Sequence, residues 1–177
     1  TFGIILIGAV VTLILEYDNT LSHQNSFMEK FGTILFQTIS GRTAGFNMID
    51  ITRFTVPTMI LFMIIMFIGA SPGSTGGGIK TTTFFVLMKS MFATIQGKKN
   101  IEFQKKTIPF ELVDKAYSIV LMSLIVIIIS AFAISIVEPK IDITDSLFDC
   151  ISAFSTCGLS SGACAAMGIG GKIILIL

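Results

Sequence analysis

Two short turns of matching chemistry stand out in this chain: Arg42-Thr43-Ala44-Gly45-Phe46-Asn47 and Ser155-Thr156-Cys157-Gly158-Leu159-Ser160. Each contains Thr-x-Gly, and each follows an apolar stretch bearing Leu-Phe-x-x-Ile-Ser, at residues 35–40 and 147–152. A unit that recurs in this way implies a recurring architecture. Gly45 and Gly158 can take positive φ without a Cβ clash, which lets consecutive carbonyl oxygens point the same way. A ring of such oxygens replaces the hydration shell of a cation. Each preceding helix would also aim its negative C-terminal end, about half an elementary charge, at the same place. The chemistry on offer is ion coordination by backbone, with cations favoured over anions.

A second polar stretch lies between them, Gly69-Ala70-Ser71-Pro72-Gly73-Ser74-Thr75-Gly76-Gly77-Gly78-Ile79-Lys80-Thr81. Its glycines make more than one backbone path accessible, and Ser71, Ser74 and Thr75 can satisfy freed backbone groups, so it reads as a flexible intramembrane gate. A phosphate-binding loop is the rival, but Ile79 intervenes before Lys80-Thr81 and the preceding apolar run is too long for a strand. A packing kink is the bland alternative. Lys80 fits a cytoplasmic-side anchor better than a gate contact. Arg42 would be expensive against lipid and should pair with an acidic group or helix-end carbonyls, as a strut. Asp149 is placed to support the second turn. His23 has no second His or Cys near it, and Cys150, Cys157 and Cys164 lack ligand spacing, so no metal site beyond the alkali ion is supported.

Elements that hold such turns must cross a membrane. The chain is 53% hydrophobic and only 13% charged, against about a quarter charged in soluble domains. Residues 116–137 carry no charge and are long enough to span a bilayer, for which roughly 20 residues suffice. Residues 54–79 are also uncharged but are broken by Pro57 and the Gly-rich stretch. Ser26 and Glu29 have capping-box spacing ahead of an apolar helical repeat, which gives a pore helix at 26–40. Asp142 and Asp145 suit the positive end of another at 144–154. Lys98, Lys99, Lys105, Lys106 and Lys115 place the 97–113 loop on the cytoplasmic side. The acid-rich segments near Glu16 and Glu138, and both Thr-x-Gly turns, then face outward. Apolar sequence running to each end reads as a segment of a longer protein.

Ser-x-Arg-Thr-Ala-Gly-Phe-Asn at 40–47, the Gly-rich stretch at 69–81 and Ser-Ala-Phe-x-Thr-x-Gly-Leu-Ser at 152–160 together resemble the Trk/Ktr/HKT superfamily of potassium transporters, most closely the bacterial Trk and Ktr membrane subunits. The resemblance covers nearly the whole chain. It implies an all-α integral membrane fold of helix, re-entrant pore loop, helix repeats, potassium-channel-like, with about two of four repeats present. The third-type repeat would be 1–96, with filter 42–47 and a broken helix 56–96 enclosing the intramembrane loop 69–79. The fourth-type repeat would be 114–177, with helix 114–137, filter 155–160 and the start of a last helix at 171–177. One filter quarter is then Thr43, Ala44, Gly45 and Phe46, and another is Thr156, Cys157, Gly158 and Leu159, with Arg42, Asn47 and Asp149 in support. The gate would comprise Gly69, Ser71, Gly73, Ser74, Thr75, Gly76, Gly77, Gly78 and Lys80.

The function so implied is potassium uptake across the cytoplasmic membrane, with K+ as cargo, no organic cofactor and no bond made or broken. A sodium-selective or sodium-coupled transporter of the same fold is the nearer alternative, and a non-transporting membrane scaffold the more distant. Membrane lipid, a second copy of the full-length protein and a cytosolic nucleotide-binding ring are the implied partners. There is no basic stripe with interleaved aromatics, so no nucleic acid is expected.

Overall fold

The computed structural model describes residues 2–22, 26–42, 44–97, 102–103 and 106–176. Thr43, His23, Lys98, Lys99 and Lys105, all singled out above, lie outside the described residues. The chain is helical, in the order α1 (Phe2–Glu16), α2 (Phe27–Ser40), α3 (Val56–Phe67), α4 (Thr81–Ile95), α5 (Phe110–Val137), α6 (Ile143–Phe154), α7 (Ala163–Ala166) and α8 (Ile169–Ile176), with a 3-10 turn at Ile51–Arg53. The only strand pairing among the described residues is a two-residue antiparallel ladder in the basic loop, β1 (Glu102–Phe103) on β2 (Lys106–Thr107).

Local sequence explains most boundaries. The spanning helix α5 starts at Phe110 rather than near residue 114, because Pro109 stops the chain in extended backbone and Glu111 sits in the positive first turn. Its 28 residues reach about 42 Å at 1.5 Å each, enough to cross with tilt. One face of α5, including Leu121, Ile125, Ile128, Ile129 and Phe132, is exposed and wholly apolar, as lipid requires. Ser26 is the N-cap of α2, but its hydroxyl makes no capping bond; its carbonyl accepts from Lys30 N at 3.1 Å instead. α3 ends at Phe67 where the Gly-rich stretch begins, and helix resumes at Thr81. The last helix opens at Ile169, two residues before its expected start.

Packing follows membrane rules, in which close approach and interdigitation outweigh the hydrophobic effect. α1 lies against α2 and α3, α5 against α4, α6 and α8, and α3 against α6. Gly8 lets α1 close on α3, since a Cβ there would stand 2.6 Å from Ile65 Cδ1. The main core joins α3 and the segment before it to α6 and the turn after it, with Phe54, Met59, Phe62, Met63 and Met66 packed on Phe148, Cys157 and Leu159. The second Thr-x-Gly turn is therefore rooted in the interior by its alternate side chains.

Candidate ion filter and gate

Each turn is built from the frayed end of its short helix. After α2, the amides of Gly41 and Arg42 bond to the carbonyls of Gln37 and Ile39, and those of Ala44 and Gly45 both converge on the Ser40 carbonyl at 3.1 Å. The Ser40 hydroxyl donates to the Phe46 carbonyl. After α6 the scheme repeats, with Thr156 N on the Ala153 carbonyl at 3.0 Å and Cys157 N on the Ser152 carbonyl at 2.9 Å. The second turn is one residue longer between its serine and its glycine, and the extra step is absorbed at Thr156. That residue has φ 54°, a left-handed conformation costing about 1–2 kcal/mol for a side chain with a Cβ.

The structure brings the two glycine corners together. Gly45 and Gly158 have φ of 69° and 86°. A Cβ on Gly45 would collide with the Cys157 carbonyl oxygen, and one on Gly158 would come within 4.0 Å of Gly45 Cα. Along the second turn Thr156 and Gly158 are open while Cys157 and Leu159 are buried. In the first, Ala44 and Asn47 are open and Phe46 is 68% exposed, where its counterpart Leu159 is 2% exposed. The buried Cys157 thiol reaches the Ser40 carbonyl at 3.6 Å, tying the second turn to the end of the first short helix.

Behind both turns stands one matched device. Asp149 accepts from Ser160 Oγ at 3.0 Å, Ser161 N at 3.0 Å and Cys164 N at 2.7 Å, which clamps the strand leaving the second turn. At the same place in Leu-Phe-x-x-Ile-Ser the first repeat has Gln37, whose Oε1 accepts from Met48 N at 3.0 Å and whose amide donates to Asn47 Oδ1 at 3.3 Å. Asn47 and Asp149 were expected as supports; Gln37 was missed, although aligning the two motifs puts it opposite Asp149. A second match lies at the C-terminal ends of α1 and α5. Glu16 Oε1 accepts from Thr55 N at 2.9 Å where α3 begins, and Glu138 Oε1 accepts from Gly168 N at 2.8 Å where α8 begins.

The Gly-rich stretch is bound to both turns. Its neck closes with Ile79 N on the Phe67 carbonyl at 3.0 Å and with Gly69 pressed on Gly77 and Gly78, where no Cβ fits. Gly77 N donates to Thr156 Oγ1 at 2.8 Å, and a Cβ on Gly77 would stand 2.9 Å from the Phe154 carbonyl oxygen. Arg42, 7% exposed, donates through Nη2 to the Gly69 carbonyl, so its partner is a loop carbonyl rather than an acid. Its Nη1 is buried with no hydrogen-bond partner. Lys80 does not anchor away from the loop: its ammonium folds back onto the carbonyls of Gly76 at 2.6 Å and Ser74 at 3.1 Å. Ser71, Gly73, Ser74 and Thr75 form the tip, with Ser74 N on the Ser71 carbonyl.

Residues 2–176 match the cation transport protein family TrkH. The chain belongs to the TrkH family. This family consists of membrane transporters of cations, not enzymes. Ktr system potassium uptake protein B of Vibrio alginolyticus is 34% identical over 98% of the chain, which spans 38% of that relative. The protein of the same name from Bacillus subtilis is 34% identical over 99% of the chain and 40% of its own length. Potassium/sodium uptake protein NtpJ of Enterococcus hirae is 31% identical over 98% of the chain and 40% of its length. The crystal structure of the potassium transporter TrkH from Vibrio parahaemolyticus shares the fold, with TM-score 0.77 and 21% identity over 99% of this chain and 39% of that one. This TrkH-family chain thus spans about two fifths of the relatives it matches.

Proposed function

We propose that this chain forms two of the four pore repeats of a potassium uptake transporter. Residues 1–96 make one repeat and 114–177 another, joined by the cytoplasmic 97–113 loop. Hydrated K+ arrives from outside and exchanges water for the carbonyls of the turns Thr43–Phe46 and Thr156–Leu159. It then crosses the membrane past the Gly-rich gate at residues 69–80. The observation that carries the reading is the meeting of the two glycine corners, Gly45 against Gly158, at the ends of two short helices whose negative termini converge there. Relatives named for potassium uptake support the choice of ion. The relative named for potassium and sodium keeps sodium as a second reading.

The gate reading draws support from the hydrogen bonds that run from the stretch to Arg42 and Thr156, which bracket the turns. A homodimer of the full-length protein and a cytosolic nucleotide-binding ring complete the reading, and the lysines of the 97–113 loop are suited to face such a ring. The experiment is uptake of rubidium and sodium by full-length protein in liposomes. Wild type is expected to favour rubidium, and Gly158→Ser to lose that preference. Equal sodium and rubidium uptake by wild type would favour the sodium reading, and an unchanged preference in Gly158→Ser would remove the filter assignment.

A further inference from the structure

We infer that Gln37 is a positioning residue for cation discrimination, the neutral counterpart of Asp149, and that the two clamp the backbone leaving each Thr-x-Gly turn. The inference rests on the filter reading above and extends it to a residue outside the turn, at a variable position of Leu-Phe-x-x-Ile-Ser. Both side chains are buried, at 0% and 4% exposure. Gln37 projects from its short helix three residues before the end and Asp149 five residues before the end of its own, and both reach across to equivalent atoms. Gln37 takes Met48 N at 3.0 Å and Asp149 takes Ser161 N at 3.0 Å, each amide lying three residues beyond the glycine corner. Each also engages the preceding side chain, Asn47 in one repeat and Ser160 in the other.

The consequence is mechanical. Helix end, turn and exit segment are closed into a ring by a side chain shielded from water, so the carbonyls between cannot reorient without breaking its hydrogen bond, part-buried at Gln37 and buried at Asp149. The Asp149 bond to Ser161 N is buried and hard to replace, while the Gln37 bond to Met48 N is part-buried and is held by an acceptor that is itself fully buried. A filter that coordinates a small ion must resist collapsing, and the clamp supplies that resistance from outside the coordination shell. The two clamps differ in charge but not in task. A carboxylate only accepts, and Asp149 accordingly faces N–H and O–H donors. The carboxamide of Gln37 accepts from Met48 and donates to the Asn47 oxygen. If a carboxylate replaced it, rotation of the Asn47 amide would present N–H instead and restore the second bond.

The substitutions follow from that chemistry. Gln37→Leu leaves Met48 N without its acceptor, whereas Gln37→Glu keeps it. Asp149→Asn turns an N–H toward the Cys164 amide, which then lacks an acceptor. Rubidium and sodium uptake are measured for these three variants and for Gly158→Ser, in full-length protein in liposomes at matched protein level. Gln37→Leu is expected to lower the rubidium-to-sodium ratio by up to about tenfold, the upper range for one lost hydrogen bond, and Gln37→Glu to stay within about twofold of wild type. Asp149→Asn is expected to fall between them. A role in packing alone would reduce both fluxes together and leave the ratio fixed. If Gly158→Ser lowers the ratio while Gln37→Leu and Asp149→Asn do not, the positioning role is overturned and the filter stands. If Gly158→Ser is also silent, the filter reading fails and the inference with it. Should Gln37→Leu not reach the membrane, Asp149→Asn decides: a wild-type ratio overturns the inference, a lowered one supports it.

Discussion

Gly45 and Gly158 are alike in sequence and unlike in what confines them. At Gly45 both the backbone angle and the neighbouring Cys157 carbonyl exclude a side chain, whereas at Gly158 only the angle does. Gly45→Ala should therefore lower thermal stability and membrane abundance more than Gly158→Ala, whose cost is about 1–2 kcal/mol of backbone strain. Melting curves of the two variants in detergent check this; equal losses would mean that the corners do not touch. Thr156 is the other strained position, and its hydroxyl is the acceptor that holds Gly77. The sequence showed the glycines, Thr156 and Asp149 because their types are chemically marked. Gln37 was missed although the repeated motif sets it opposite Asp149, because the alignment does not say what it touches, and the bond to Met48 does.

At the scale of elements, the broken helix between α3 and α4 is legible from Pro and Gly alone, but its attachment to the turns is not. Arg42 was expected to find an acid or helix end and instead holds Gly69, while Lys80 closes over Gly76 and Ser74. Hydrogen bonds to Arg42, Thr156 and Phe67 and within the loop thus hold it in the conformation described, as the proposed gate requires. Deleting residues 71–78 should raise rubidium flux in well-folded protein, and Lys80→Met should raise it by less, since the neck between Phe67 and Ile79 remains. Flux equal to wild type in both would favour the kink. The early start of α5 at Phe110 and the small ladder before it were not foreseen, because a proline that breaks one element does not declare where the next begins.

Across the whole chain, the two Leu-Phe-x-x-Ile-Ser segments carry matching surroundings: a glutamate bound to a distant amide, a short helix, a buried side chain bonded past the turn and a positive-φ glycine. The repeat was legible because its apolar and glycine pattern is forced by the membrane, which leaves backbone groups no solvent to fall back on. Glu16 and Glu138 were read only as marks of acidic segments, because their partners are backbone amides 39 and 30 residues away in sequence. Topology is testable on the same scale. Cysteine placed at Ser22 or Lys140, both exposed, should react with an impermeant maleimide from outside the cell, and cysteine at Gln96 only after permeabilisation. The reverse pattern would invert the orientation drawn from the lysine-rich loop. The central claim is that a dehydrated alkali ion sits where the corners of Gly45 and Gly158 meet. Anomalous diffraction from rubidium-soaked crystals of the full-length protein tests it directly. The account predicts a peak within direct coordination distance of the turn carbonyls, lost on exchange into a large organic cation. Rubidium bound elsewhere along the pore, with the two corners empty, would contradict it.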